Sequence, residues 1–365
     1  MASASRLSRA VTAMGEAEVD ALLVGPGADL RWLVGFDPPP LERLTLLVVR
    51  ADGQHTLIVP ELERQLAVDA GLPEEVALVS HGESEDPVQR VRAALDTAVA
   101  GRLAVGDRLW SQFTLALQAA LPDAGWTLAS RVLAGLRQIK DDDEIDALRR
   151  AGAAIDRVHQ RLPRLLAPGR TESEVARDVA DAIIAEGHDD VRFVIVGSGP
   201  NGASPHHQHG DRALGPGDAV VADIGGSLDG YCSDCTRNYV VGHAPAGYDD
   251  TYAALLEAQR AAVDAIKPGA TAGEIDAAAR DRLAQAGLAE RFIHRTGHGI
   301  GLAEHEPPWI MADSDQRLEP GMAFSVEPGV YLPGRFGARI EDIVVVTSDG
   351  CERLNTTDRQ AAMVT

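Results

Sequence analysis

Four acids in the second half of the chain stand where acids are costly. Asp223 ends the apolar run Val220-Val221-Ala222, and Asp234 follows eleven residues on, within Tyr231-Cys232-Ser233-Asp234-Cys235-Thr236. Glu327 follows Phe324-Ser325-Val326 and Glu341 follows Arg339-Ile340, each interrupting an apolar, strand-like stretch. A carboxylate in such surroundings is expensive unless something positive neutralises it. Between these acids lie His294, His298 in Thr296-Gly297-His298-Gly299-Ile300-Gly301, and His305 in His305-Glu306-Pro307-Pro308. Four carboxylates and one imidazole form a natural ligand set for two divalent ions, with a total charge near zero once both are bound. Oxygen-rich sites favour Mn(II), Co(II) or Fe(II) over Zn(II), which prefers thiolate. Two such ions can hold a bridging hydroxide as nucleophile, polarise a carbonyl and stabilise a tetrahedral oxyanion. A lone acid is ordinarily solvated or salt-bridged, but that reading fails for all of these residues jointly.

Positioning these groups requires strands and tight turns. If Ser227 to Gly230 is a hairpin turn, Asp223 and Asp234 can face one side of a sheet. The surrounding segment contains an internal repeat: Pro168-Gly169-Arg170-Thr171-Glu172-Ser173-Glu174 recurs one hundred residues later as Pro268-Gly269-Ala270-Thr271-Ala272-Gly273-Glu274. In each copy a Thr stands three residues before a Glu and an amphipathic stretch follows, which predicts a capping box opening a helix. After each helix a strand and a glycine-rich, histidine-bearing segment are expected, around residues 191–209 and 292–305. A long period seen twice points to a duplicated half-domain, with chemistry in the cleft between the halves.

Upstream, Gly135 followed by Lys140-Asp141-Asp142-Asp143-Glu144 marks a boundary. Acids in a first turn complement the helix dipole, and Ile145, Leu148, Ile155, Val158 and Leu162 supply one apolar face, so a long helix opens the second domain. The expected division is 1–137 and 138–365. The first part reads as mixed α/β. Leu44 to Val49 meets His55 to Val59 across Asp52-Gly53 in a hairpin, Asp37-Pro38-Pro39-Pro40 forms a rigid loop, and residues 88–99 and 111–121 have helical apolar spacing.

Composition narrows the function classes. The 365 residues include 34 Lys and Arg against 55 Asp and Glu, a net charge of −21. Such a chain repels nucleic-acid phosphates and anionic lipid, and no local basic patch offsets this. No uncharged apolar run approaches the roughly 18 residues of a membrane span, and residues 1–24 lack the apolar stretch of a secretory signal. Cys232, Cys235 and Cys351 are too few and too clustered to staple the chain, so the expected compartment is the cytoplasm. Gly197-Ser198-Gly199-Pro200-Asn201-Gly202 satisfies a dinucleotide-type glycine pattern, but Pro200 and Ala203-Ser204-Pro205 favour an extended loop lining the cleft. Cys232 and Cys235 would point to opposite faces of a strand, which suits neither a redox pair nor zinc.

With these motifs in order, the sequence resembles the M24 metallopeptidases, specifically the Xaa-Pro dipeptidase (prolidase) and aminopeptidase P branch. The resemblance rests on Asp223-x10-Asp234 with Thr236-Arg237, the Thr296 to Gly301 segment, His305-Glu306-Pro307-Pro308, Ser325-Val326-Glu327-Pro328-Gly329-Val330-Tyr331, and Arg339-Ile340-Glu341-Asp342. It extends more weakly to the first domain through Leu33-Val34-Gly35-Phe36 and Val59-Pro60. The implied fold is α/β (α+β): a pita-bread catalytic domain with internal duplication, preceded by a smaller creatinase-type domain.

The resemblance further implies Asp223 as chelating ligand of one ion, Asp234 and Glu341 as bridging ligands, and His298 and Glu327 completing the second. The implied ions are Mn(II) or Co(II) first, with Fe(II) or Zn(II) as alternatives. His206 in Ser204-Pro205-His206-His207 matches the pocket histidine, His294 a proton-shuttling or substrate-contacting one, and His305 the one that hydrogen-bonds the scissile carbonyl. Arg339 matches an arginine that orients the bridging acid or the substrate, and Glu327 can relay a proton to the leaving nitrogen. His159, His207, His209 and His243 are read as structural. The implied substrates are small peptides and the implied assembly is a homodimer. Methionine aminopeptidase shares the five ligands but lacks the extra first domain and the His-Glu-Pro-Pro segment. Creatinase shares the layout and works without metal, and a non-catalytic relative would have lost ligands. The short first domain leans toward a dipeptidase.

Overall fold

The computed structural model describes residues 5–364, so Met1 to Ala4, where the stretch read for a secretory signal begins, and Thr365 lie outside it. The chain divides between Arg137 and Gln138 into two compact units.

The first unit is built on a six-stranded mixed sheet of β1 (Ala21–Val24), β2 (Leu46–Arg50), β3 (His55–Pro60), β4 (Val76–His81), β5 (Arg102–Val105) and β6 (Gly125–Leu128), in the order β4-β3-β2-β1-β5-β6. The Asp52-Gly53 turn closes the expected antiparallel β2–β3 hairpin, with Leu46 opposite Ile58 and Val49 opposite His55. Gly53 adopts φ 84°, a conformation glycine enters without steric cost. The helix expected over 88–99 ends early. It runs Pro87–Leu95 and gives way to a 3-10 turn over Asp96–Ala100, because Asp96 takes a left-handed φ of 51° that an α-helix cannot continue.

The second unit opens with α1 (Asp142–Leu165), whose N-cap Asp141 and Glu144 form a reciprocal capping box. Both repeat copies do the same. Thr171 and Glu174 open α2 (Glu172–Ala185), and Thr271 and Glu274 open α4 (Ala272–Gln285), which follows α3 (Tyr248–Ala265). Two helix pairs therefore back two sheets. One sheet is β7 (Asp190–Ser198), β8 (Ala219–Leu228), β10 (Cys235–Val241) and β18 (Ala362–Val364), in the order β18-β10-β8-β7, with the short β9 (Tyr231–Cys232) returning on β8. The other is β11 (Gly297–Gly299), β12 (Glu306–Ile310), β13 (Ala323–Val326), β16 (Asp342–Val346) and β17 (Cys351–Arg353), in the order β12-β11-β13-β16-β17. A separate hairpin joins β14 (Gly329–Leu332) to β15 (Phe336–Arg339).

Each helix pair has its own core. Val158, Leu162, Val179 and Ile183 of α1 and α2 bury against Val196, Val220 and Ile224 of the first sheet. Leu255, Ala262, Ile275 and Leu283 of α3 and α4 bury with Phe324 and Val344 of the second. Each fully buried aliphatic side chain contributes roughly 1.5–3 kcal/mol, so each half holds its sheet by its own helices. This is the duplicated, two-sheet arrangement implied by the resemblance.

The glycine-rich segments of the two copies fold differently. In the second copy the expected strand is present but short, Gly297–Gly299. Just before it, the backbone N–H of Thr296 is shared between the Ile310 carbonyl oxygen at 2.8 Å and the Asp276 carboxylate at 3.0 Å. The Gly197 to Gly202 segment does not form an extended loop on the cleft: it closes in a 3-10 turn over Gly199–Ala203 packed on β15. A Cβ on Gly337 would lie 1.9 Å from the Gly202 carbonyl oxygen, so backbone meets backbone here and the glycines serve packing.

Among the described residues, no helix is long and apolar enough to cross a membrane.

Candidate metal centre

The strands converge on one cavity of about 1270 Å³ in the second unit, and every site residue expected from sequence lines it. These are Asp223, Asp234, His298, Glu327 and Glu341, together with His206, His294, His305 and Arg339. Asp223 comes from the middle of β8, opposite Thr236 of β10. Asp234 stands at the bend between β9 and β10, and the expected hairpin turn is present with Leu228 opposite Tyr231. Glu327 leaves the end of β13, and Glu341 lies between β15 and β16. His298 sits in β11, flanked by Gly297, whose Cβ would fall 1.8 Å from the Ser325 carbonyl oxygen. Only glycine lets β11 approach β13 that closely.

Asp234, His298 and Glu341 each present a ligand atom, all within 4.8 Å of one another. His298 Nε2 lies 3.3 Å from Glu327 Oε1 and 3.8 Å from Asp234 Oδ2. The tautomer follows from its other nitrogen, which is 3.1 Å from the Gly299 carbonyl oxygen and must donate to it. Nε2 is then the bare lone pair, aimed at the carboxylates, which is how an imidazole ligand is oriented by its outer hydrogen bond.

The electrostatics point the same way. Burial and then the Glu341 and Asp223 charges push the Asp234 carboxyl well up. Burial and then Glu327 and Asp223 do the same to Glu341. Glu327 rises to about 7, chiefly through burial, with Arg339 opposing. Burial lowers His298 to about 3 and His294 to about 4, so both rings are neutral at pH 7. Burial and the Arg295 charge also hold His305 below its ordinary value. Its ring meets that of His298 edge to face at 4.0 Å.

Three buried carboxylate oxygens, Asp223 Oδ1, Asp234 Oδ1 and Glu341 Oε1, have no hydrogen-bond partner. Buried acceptors are almost always satisfied. Three such oxygens in one cluster of mutually repelling acids, beside a bare imidazole nitrogen, fit a divalent cation as the missing partner.

Among the described residues, Arg339 is the cation that pairs directly with an acid of the cluster. Its Nη2 lies 2.5 Å from Asp223 Oδ2, its Nε donates to Thr236 Oγ1, and its Nη1 donates to Tyr331 Oη at 2.8 Å. The acid it holds is thus Asp223, the chelating rather than a bridging carboxylate in the expected ligand set. Tyr331 passes the chain on. His294 Nδ1 faces the Arg295 carbonyl and donates there, so Nε2 accepts the Tyr331 hydroxyl proton at 2.8 Å. Thr236 Oγ1 in turn donates to Glu341 Oε2 at 2.8 Å.

Several supporting residues escape a reading of the sequence alone. Ser325 Oγ accepts from the His298 N–H and donates to Glu327 Oε1, each at 3.0 Å, tying two of the cluster together. Arg237 donates to the Glu341 carbonyl oxygen and pairs with Asp342, which Gln259 also holds. Lys140 Nζ meets Glu306 Oε1 at 2.7 Å in a nearly dry ion pair beside His305. Lys140 is one of only two lysines in an arginine-rich chain, the single sequence signal for it. His206 stands on the cavity wall, and its neighbour Pro205 accepts from Arg339 through its carbonyl. His159, read as structural, is buried between Tyr239 and the Cys235 carbonyl.

Comparison with known proteins agrees with this geometry. A family profile described as Metallopeptidase family M24 matches residues 146–348, and one described as Creatinase/Prolidase N-terminal domain matches residues 6–139. The chain is 50% identical over 367 residues to the probable dipeptidase PepE of Mycobacterium tuberculosis, covering 99% of this chain and 96% of that protein. Its structure is similar to that of dipeptidase PepE from Mycobacterium ulcerans, with TM-score 0.91, 50% identity, and coverage of 98% of this chain and 97% of that one. The recombinant prolidase of Thermococcus sibiricus matches with TM-score 0.93 at 35% identity, covering 98% of both chains. With its catalytic-domain and N-terminal profiles together spanning the chain, this protein belongs to metallopeptidase family M24.

Proposed function

We propose that this enzyme is a dinuclear-metal dipeptidase that hydrolyses Xaa-Pro bonds. The observation that carries this reading is the cluster of three unpartnered, buried carboxylate oxygens beside the bare Nε2 of His298. Asp223, Asp234, His298, Glu327 and Glu341 would hold the ions. Two Mn(II) or Co(II) ions, or Fe(II) or Zn(II) in their place, supply Lewis acidity, activating a water and polarising the scissile carbonyl.

The rest falls to the side chains. A bond from Xaa to proline is a tertiary amide with no N–H, so a site that grips that N–H cannot work on it. This cavity offers carbonyl-directed groups instead. His305, kept neutral by burial and Arg295, donates an N–H to the carbonyl oxygen as negative charge builds there. Glu327, beside His298 at the end of β13, is placed to relay a proton to the leaving proline nitrogen. His294 and Tyr331 fix Arg339, and Arg339 fixes Asp223, so the amino end of the substrate meets an acid held in one place. His206 contacts the substrate from the facing wall. The same reading carries a homodimer and a cytoplasmic location, the latter in keeping with three free cysteines.

The test is hydrolysis of Ala-Pro, Ala-Pro-Ala and Met-Ala-Ser by protein stripped with chelator and reloaded with Mn(II) or Co(II). Turnover of Ala-Pro alone, restored only by metal, is the expected result. Release of Ala from Ala-Pro-Ala would make it an aminopeptidase P, and release of Met alone a methionine aminopeptidase. Turnover that survives complete metal removal would overturn the metal-dependent reading.

A further inference from the structure

Glu172 is the first residue of α2 and is wholly buried, although it stands beside a capping box where exposed acids are usual. Its carboxylate does not serve the helix. It accepts from the Ser198 N–H at 2.8 Å, Ser198 Oγ at 2.6 Å, Asn201 Nδ2 at 3.1 Å, His207 Nε2 at 2.7 Å and the Gly210 N–H at 3.3 Å. These donors come from the end of β7, from the turn after it, and from the far side of the following loop. Between Asn201 and His207, on the cavity wall, stands His206. Burial pushes the Glu172 carboxyl up, but the bonds from Ser198 and His207 outweigh it and hold the group below its ordinary value. The carboxylate is therefore ionised and fully committed to this loop.

We infer that Glu172 is a positioning residue for peptide hydrolysis: acting through His207, it sets where the adjacent His206 stands in the catalytic cavity. His207 then departs from the structural reading its sequence suggested, since its ring joins the buried acid to the loop that carries His206. The second half of the molecule uses the same device from a different helical position. Asp276 of α4, also wholly buried, accepts from the Thr296 N–H at 3.0 Å and Oγ1 at 2.8 Å. It also holds Arg280, which donates to the His294 carbonyl oxygen. Both repeat helices, α2 and α4, thus send one buried carboxylate into the histidine-bearing segment that follows.

This inference rests on the proposed peptidase reading, and a double-mutant cycle in the metal-loaded enzyme separates the two. Wild-type turnover of Ala-Pro is measured first, and its absence with every metal would overturn the peptidase reading rather than this one. Glu172→Gln is then expected to lower kcat/KM by about 10²-fold, the scale of an ångström-level misplacement, mostly through KM, with metal content unchanged. His206→Ala should lose a comparable factor. The double variant should be no worse than His206→Ala alone, because Glu172 acts through that ring. His207→Phe, which removes the linking donor on a half-buried loop, should reproduce the pattern whether or not Glu172→Gln folds, and His207→Gln should recover part of the loss. Losses that multiply in both cycles, or a fall in bound metal, would overturn the inference and leave Glu172 a purely structural residue.

Discussion

Glu327→Gln in the metal-free protein is expected to raise thermal stability at pH 8, although Glu327 is a ligand in the proposed centre. In the folded chain its carboxyl sits at about 7 against an ordinary 4.5, because burial disfavours the charge and Asp223 repels it. A raised folded pKa means that the native state binds the proton more tightly than the unfolded state. The resulting penalty is absent below about 4.5 and complete above about 7. The gap of about 2.5 pH units corresponds to about 3 kcal/mol at pH 8, and to less than about 1 kcal/mol at pH 5. Glutamine removes the charge and can still accept from Ser325, now 3.0 Å from Oε1. For a domain of 150–250 residues the gain at pH 8 is a rise of roughly 6–12 °C in the melting transition. The assay is thermal unfolding of wild type and variant at pH 5 and pH 8, with chelator and then with saturating Mn(II). In the metal-loaded protein the sign should reverse, because the substitution now removes a ligand and part of the binding free energy that stabilises the fold. Equal stability changes at the two pH values in chelator, or the same sign with and without metal, would refute this account of Glu327.

Asp234→Asn should lower metal retention and reduce kcat/KM by more than about 100-fold, the range outer partners of a metal already reach. Metal analysis and circular dichroism would check this, and an unaltered metal content would contradict it. Ser325→Ala removes the hydroxyl joining the His298 N–H to Glu327, so metal affinity should fall by about 10–100-fold in a competition titration. Gly297→Ala places a Cβ 1.8 Å from the Ser325 carbonyl and should cost on the order of 4 kcal/mol in urea unfolding; a wild-type midpoint would show that β11 can shift. Thr271→Ala deletes an N-cap and should cost about 1 kcal/mol while leaving kcat unchanged, since α4 keeps its packed face.

The acids of the centre were legible because they break a pattern. Asp223, Asp234, Glu327 and Glu341 interrupt apolar strand-like runs, and an uncompensated charge there has no cheap explanation. The duplication was legible because both capping boxes are local, each joining residues three apart. Glu172 was not, because its neighbours in sequence make it look like an ordinary first-turn acid, while its partners lie 26 to 38 residues away. The pairing of Arg339 with Asp223 spans 116 residues, and no local signal announces it. The Gly197 to Gly202 pattern misled for the same reason: its Gly202 carbonyl oxygen lies against Gly337, distant in sequence, where a Cβ would fall 1.9 Å from it.

By itself the sequence determined which side chains are available, where helices begin, and which acids must find a positive partner, since capping and patterning depend on residues within one or two turns. Tertiary structure alone decided which acids share a cavity, which oxygens lack a donor, that His298 turns its bare nitrogen inward, and that Glu327 sits near 7. Those properties arise from desolvation and from Coulomb interactions over a few ångströms, and only the packing of the two halves sets those distances.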